Sequence, residues 1–425
     1  MLGNESDNIP RFLSRSEEIA VMILRVKPIK RKERLFLIGY SLYLFYQIVS
    51  YSFYSLYIEG LISRLILVSC FAIFGASELI YERSKKINVI TLLTITILAA
   101  ISGYLGFGNI AYMVIIIFFA RNVDFKHICK VTVWITIFGV VFVVISSKLG
   151  IIKDYIGYRG DGTGRAYLGF RYVLFAPGFL LNAMSAYIYI KDNKIKRRTC
   201  FFLIAISYLI YQITDARLSY YLSLFLIAFA FLNRRKRKIG RERRAQRFSK
   251  LIIPIYPVFL ICSIGCAIFY RQGNAVWNML DNLLTRRLYY GQKSLYLYGI
   301  SLFGNRNIDW KGFSFGTDGT MPIYSSNMIY VDNVYLHILQ RYGIVFTLIV
   351  MLVFTYTMYI LYIRKDYTLQ FMFFAIAIHG LIDNQILYLC FNVFLCGMYT
   401  KIANYVGPMK THAKLPGYIS YRNSC

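Results

Sequence analysis

Apolar residues in this chain gather in long runs separated by short polar connections. Twelve runs stand out, at about 35–57, 61–81, 87–104, 106–120, 128–147, 172–190, 199–213, 217–232, 251–270, 334–362, 367–382 and 385–403. A helix needs roughly 18 or more predominantly apolar residues to cross the hydrocarbon core of a bilayer, and several runs reach that length. The pattern predicts an all-α polytopic membrane protein of about 12 transmembrane helices, with one large extracytoplasmic loop between helices 9 and 10. Composition agrees: 57% of the 425 residues are hydrophobic and 16% charged, against about a quarter charged in a soluble domain.

Charge orients the runs. With the N-terminus inside, the segments 1–34, 82–86, 121–130, 191–198, 233–250, 363–366 and the tail from 401 hold 35 of the 49 lysines and arginines, and the outer connections hold 12. Cytoplasmic loops are the basic ones in membrane proteins, so both termini are expected in the cytoplasm. The organisation expected is then a cytoplasmic tail (1–34), helices 1–9 (35–270) with an outer loop at 148–171 and a basic inner loop at 233–250, a large extracytoplasmic loop (271–333), helices 10–12 (334–403) and a second cytoplasmic tail (404–425). The first 34 residues lack the apolar core and small-residue cleavage site of a secretory signal, so the first run is read as an uncleaved anchor. The formal charge of +29 does not imply nucleic acid. Its densest block, Arg234 to Lys238 with Arg241, Arg243, Arg244 and Arg247, lies in an inner loop without a nucleic-acid-binding module and suits anionic lipid head groups.

Basic residues on the outer side run against this bias. Arg159, Arg165, Arg171, Arg217, Arg271 and Arg286 are not topology signals. Each alone reads as a solvated charge or a snorkelling anchor. As a set they suit a phosphate or pyrophosphate, which guanidinium groups bind bidentately. The loop at 271–333 carries Trp277, Trp310 and many tyrosines, a composition poorly suited to disorder, and is expected to be folded and partly helical over 274–298.

That loop ends at Asp332-Asn333, followed by an apolar run that holds His337 and Arg341, four apart on one helical face. Charged and polar side chains at such a depth need a wet cavity or a partner. Asp332 has two readings, a helix cap or a catalytic carboxylate. His379 and Asp383, also four apart and followed by Asn384-Gln385, either join the same wall or form an interhelical hydrogen bond. The eight cysteines lie mostly within or at the ends of apolar runs, and none has a metal-ligand spacing.

Four outer stretches occur in a suggestive order. They are Arg165 to Gly169-Phe170 with Pro177 beyond, the hairpin Ala216-Arg217-Leu218-Ser219, the long loop, and Asp332 through Tyr342-Gly343. In this order they resemble the Wzy-type polysaccharide polymerases of the O-antigen ligase and polymerase superfamily. The resemblance covers about 150–350 in detail and the whole chain in its pattern of apolar runs. One departure is that the position of the ligases' histidine before the last glycine is held by Asp332, with His337 out of register. That departure favours polymerase over ligase.

The resemblance implies a GT-C-like membrane glycosyltransferase. It would polymerise undecaprenyl-pyrophosphate-linked repeat units into capsular, exopolysaccharide or O-antigen chains at the outer face of the bacterial cytoplasmic membrane. It implies a lipid-linked oligosaccharide as partner, beside membrane lipids, and a flippase and chain-length regulator as neighbours. Catalysis would need no metal or other cofactor, because arginines stabilise a lipid-pyrophosphate leaving group directly. In this reading Asp332 is the candidate base, with His337 and then Asp161 behind it. Arg159, Arg165, Arg171, Arg217, Arg286 and Arg341 are the candidate substrate-binding residues. Asp215 pairs with Arg217 or caps its turn. The competing readings are an O-antigen ligase-type transferase, a polysaccharide flippase or other transporter, and a sensor or scaffold. No internal repeat of the transporter kind is visible, and the 63-residue span of 271–333 argues against a flippase.

Overall fold

The computed structural model describes residues 31–81, 108–121, 123–159, 162–233, 239–310, 312, 314–321 and 329–398. The expected run at 87–104, residues 1–30 of the first tail, the second tail, Asp161 and the block 234–238 lie outside the described residues.

The chain is predominantly helical. In order the helices are α1 (Arg31–Ser50), α2 (Leu61–Tyr81), α3 (Gly108–Ala120), α4 (Phe125–Lys148), α5 (Phe175–Lys191), α6 (Arg197–Thr214), α7 (Arg217–Asn233), α8 (Ile239–Leu251), α9 (Ile255–Phe269), α10 (Ala275–Leu283), α11 (Arg287–Tyr298), α12 (Val334–Ile363) and α13 (Tyr367–Gly380). Their starts follow local chemistry. Asp124, Asn274, Asn333 and Asp366 each accept a hydrogen bond from a first-turn amide of α4, α10, α12 and α13. Among the described residues three helices are long and apolar enough to cross a membrane: Leu61–Glu78, Phe125–Lys148 and Val334–Ile363. A fourth joins them if α8 and α9, bent by 48° at a short break, form one span.

Apolar side chains fill the interior, as Tyr40, Leu44, Phe170, Phe179 and Phe373 do, and also cover much of the outside. Large apolar side chains such as Trp134, Phe138, Phe201, Phe202, Leu348 and Leu352 are exposed. Thr132, Thr136, Gln340 and Gln370 are buried between helices. Contiguous apolar surface on this scale marks a binding or membrane-facing surface, and small polar residues between helices are typical of packing within a bilayer.

Two sets of connections are tied together at the helix ends. Arg171 donates to the carbonyls of Ser50 and Phe315, Ser55 to Thr317, Arg165 to Thr214 and Arg287 to Ile382. These contacts bind together connections expected outside. On the other set, Asp192 accepts from Asn233 and Thr368, His127 contacts Glu33 and Arg121 pairs with Glu78.

Three expectations are corrected. The run 334–362 is not one regular helix: Gly343 has φ 87° and breaks α12, a conformation suited to glycine. Loop residues 301–305 enter the break. Ile344 N–H donates to the Ser301 carbonyl, Val345 N–H to Leu302, and Asn305 N–H to the Gln340 carbonyl. A Cβ on Gly343 would lie within 2.3 Å of the Gly304 nitrogen. The run 385–403 also fails to begin as a helix. After a single turn at Gln385–Leu387, the chain at 388–393 is irregular. Asn182 clamps it by donating to the Cys390 carbonyl and accepting from Val393 N–H. Irregular backbone at membrane depth requires such internal partners. Finally, the loop 148–171 contains a two-stranded hairpin, β1 (Ile156–Tyr158) with β2 (Gly164–Ala166), paired antiparallel.

Candidate functional site

The break in α12 separates a short first segment from the long remainder, and this segment forms one wall of a cavity. The cavity has a volume of about 350 Å³ and is lined by Asp332, His337, Arg341, Trp310, Tyr330, Asn384 and Tyr388, among others. Its size falls at the lower end of small-molecule sites, and its lining is unusually polar for one.

Asp332 precedes α12 but does not cap it. That role belongs to Asn333, whose side-chain oxygen accepts from the Tyr335 and Leu336 amides. The Asp332 carboxylate instead accepts from Arg287 Nη2 at 3.0 Å. Arg287 is held along its other edges, donating from Nε to the Ile382 carbonyl at 2.8 Å and from Nη1 to Leu284 at 3.1 Å. Burial pushes the Asp332 carboxyl up to about 6. Arg287 opposes the rise and nearby Asp383 adds to it. A carboxyl in this range is suited to accept a proton near neutral pH.

His337 stands one turn into α12 with its ring 4.7 Å from that of Trp310. Its Nδ1 lies 3.3 Å from the Val331 carbonyl and 3.1 Å from the Asn384 amide nitrogen. Donation to Val331 leaves Nε2 as the basic nitrogen, whereas acceptance from Asn384 leaves Nε2 protonated. Arg341, on the same face, donates to the Ile308 carbonyl at 2.9 Å. Behind them Gln340 bonds both Ser294 and the Gly299 carbonyl, and Trp310 donates to the Ser294 hydroxyl. Asp383 lies 3.5 Å from His379 and accepts from the Gln385 amide.

A second group lies at the turn between α6 and α7. Asp215, in left-handed conformation with φ 47°, ends α6. Arg159 pairs with its carboxylate at 2.9 Å and Arg217 at 3.2 Å. Arg165 donates from Nε to the Thr214 carbonyl at 3.0 Å. The hairpin aims Arg159 and Arg165 from its two sides at this one turn. Two cations thus pair with one carboxylate, and a third holds the carbonyl beside it. Burial holds the Arg165 guanidinium below its ordinary value, so an incoming anion would relieve a desolvated charge. Burial raises the Tyr172 hydroxyl above its ordinary value, and it feels the charges of both groups: Asp332 and Asp383 push its pKa up and Arg165 pulls it down.

The same turn contributes Ala216 to the lining of a groove of about 720 Å³ between α4, α5, α6 and α7. Its lining runs from Lys130 and Lys191 at one end to Tyr211, Ala216 and Tyr220 at the other, with mostly apolar side chains between. Trp134 and Phe202 on its rim are exposed, so the groove opens sideways onto the apolar surface.

Six of the eight residues singled out from sequence therefore fall into two groups: Asp332, His337 and Arg341 in one, Arg159, Arg165 and Arg217 in the other. Two do not join them. Both Nη atoms of Arg171 are spent on the Ser50 and Phe315 carbonyls, so this residue is a strut between the outer loop and the end of α1. Arg286 is exposed, and it is Arg287, one residue on, that reaches Asp332. Sequence reasoning also missed Trp310 and Asn384 as cavity residues. The polar interruption Asp383-Asn384-Gln385 between two apolar runs was the available signal for Asn384. Among the described residues, no group of three or more His, Cys, Asp or Glu side chains is placed to hold a metal ion. Comparison with known proteins supplies no relative: no family model matches the chain, and no curated protein or solved structure matches it.

Proposed function

We propose that this chain is a membrane-embedded glycosyltransferase that polymerises undecaprenyl-pyrophosphate-linked oligosaccharide repeat units at the outer face of a bacterial cytoplasmic membrane. About twelve spans and two cytoplasmic termini belong to this reading. The observation that carries it is the apolar groove whose lining reaches Ala216, in the turn that gathers Arg159, Arg165 and Arg217, together with a polar cavity lined by Asp332. A lipid tail fits the groove, its pyrophosphate meets the arginines, and the cavity takes the acceptor sugar.

The chemistry follows from that placement. An acceptor hydroxyl oxygen attacks the anomeric carbon of the donor chain, and the bond from that carbon to the pyrophosphate oxygen breaks. The hydroxyl proton passes to Asp332, and the lipid pyrophosphate leaves with the bonding electrons. Arginines placed where negative charge develops stabilise that leaving group. Asp332 ionised above about 6 is matched to the proton transfer.

Deleting the gene should leave single lipid-linked repeats in place of long polymer. Arg165→Ala and Arg217→Ala should each lower polymerisation by about 10²–10³-fold, the usual cost of one donor to a developing anion. Lysine at either position should restore only part, because a point charge does not replace a planar fork. The readout is ladder length on a gel at matched membrane levels. Wild-type ladders from both alanine variants would remove the arginine turn from the mechanism.

Sidedness is tested separately. Asn193 and Asn307 are exposed and serve as probes. An impermeant thiol reagent applied to cells with an opened envelope should label Asn307→Cys and spare Asn193→Cys. The reverse pattern would invert the topology and place the site in the cytoplasm.

A further inference from the structure

Helix α10 carries its apolar stripe on the wrong side for a soluble loop. Val276, Met279, Leu280 and Leu283 follow the spacing of one helical face, and they are 66%, 75%, 41% and 77% exposed. The inward face is polar. Asp281 is buried and accepts from the amides of Leu288 and Tyr289 at the start of α11, as well as from the Tyr270 hydroxyl. Trp277 packs edge-on against Tyr270. These contacts fix the rotation of α10, so the outward stripe is built in.

What covers the stripe is indicated by the neighbouring chain. α9 ends with Ile268 and Phe269 exposed on an apolar helix that, with α8, is long and apolar enough for a bent membrane span. Only residues 270–274 separate that end from α10. The apolar surface of the span thus continues into the stripe. Arg271 and Arg286, both exposed, stand beyond the two ends of α10. An apolar face flanked by cations matches the boundary between acyl chains and lipid phosphates.

We propose that α10 is an interfacial helix, lying in the outer leaflet with Val276, Met279, Leu280 and Leu283 among acyl chains and Arg271 and Arg286 against head-group phosphates. This gives Arg286 a partner other than the reacting pyrophosphate. It also ties the membrane surface to the cavity, because α11, docked on Asp281 of α10, begins with the Arg287 that pairs with Asp332. The inference requires α9 to reach the bilayer surface and is independent of any glycosyltransferase activity.

The test is accessibility of nitroxide labels on the full chain in phosphatidylethanolamine–phosphatidylglycerol vesicles, with native cysteines replaced. Labels at Met279→Cys and Leu283→Cys should collide with oxygen and be shielded from a water-soluble nickel chelate, as at Ile261→Cys on the exposed face of α9. Labels that read like Asn307→Cys, open to the nickel chelate, would overturn the proposal. So would labels shielded from both reagents, which would mean that a protein covers the stripe. A second measurement keeps the native cysteines: benzoylphenylalanine at Met279 should add the mass of a phospholipid on irradiation. Cross-linking to a second copy or another polypeptide instead would also overturn it.

Discussion

Asp332→Asn should abolish long polymer while leaving a folded protein in the membrane, with a rate loss of roughly 10²–10⁴-fold. The expectation rests on two contacts. Asn333, not Asp332, caps α12, so the substitution does not free a helix end. Asparagine keeps the shape of the side chain and an oxygen to accept from Arg287, and loses the ability to take a proton together with the negative charge that pairs with Arg287. If Asp332 is the base proposed above, the wild-type protein should depend on pH in a defined direction. Burial raises the Asp332 carboxyl to about 6, so the base is protonated below that value and available above it. Polymerisation should rise as pH climbs through about 6, and Asp332→Asn should lack this step. Stability runs the other way. A raised carboxyl favours the protonated folded state, so the contribution of Asp332 declines as pH climbs from the ordinary carboxylate range through about 6. The decisive comparison is ladder length and pH profile for Asp332→Asn and wild type at equal protein levels. Wild-type ladders from the asparagine variant would pass the base role to His337.

What was legible in the sequence is what local composition decides. Runs of apolar residues located most of the helices from α1 to α9 among the described residues, whereas α8 (Ile239–Leu251) formed within the segment 233–250 that reads as a basic inner loop. The same local signals placed His337 and Arg341 on one face and set Asn274 at the start of the helical part of the loop. Long-range pairing was not legible. The Arg287–Asp332 contact joins residues 45 apart, and nothing in Arg286-Arg287 tells which of two adjacent arginines faces inward until the left-handed turn at Thr285–Arg286 is known. Gly343 shows the same limit. A glycine within an apolar run reads as a tolerated helix residue, and only the entry of 301–305 into the break reveals why the helix stops there. At 385–393 the pattern remained apolar enough for a span, yet Asn182 on α5 supplied partners that allowed an irregular path.

Arg287 offers the sharpest separation between a residue that sets the chemistry and one that merely holds the fold. It bridges Asp332, Leu284 and Ile382, and it opposes the upward push that burial and Asp383 exert on the Asp332 carboxyl. Arg287→Gln removes this charge and leaves two carboxylates near each other without it. The Asp332 carboxyl should move further up, by on the order of one to three units for loss of a close opposite charge. Activity at neutral pH should collapse because the base is then mostly protonated, and part of it should return at alkaline pH. Breaking a buried ion pair also costs about 3–5 kcal/mol, tempered here because the Asp332 side chain is 29% exposed, so membrane levels must be matched before rates are compared. Arg287→Lys keeps the charge and loses the fork. It should retain the wild-type midpoint with a lower rate at every pH. A purely structural Arg287 would lower activity in both variants without moving either midpoint. An unshifted profile in Arg287→Gln would therefore remove Arg287 from the tuning of Asp332 and leave it as a tie between α11 and the end of α13.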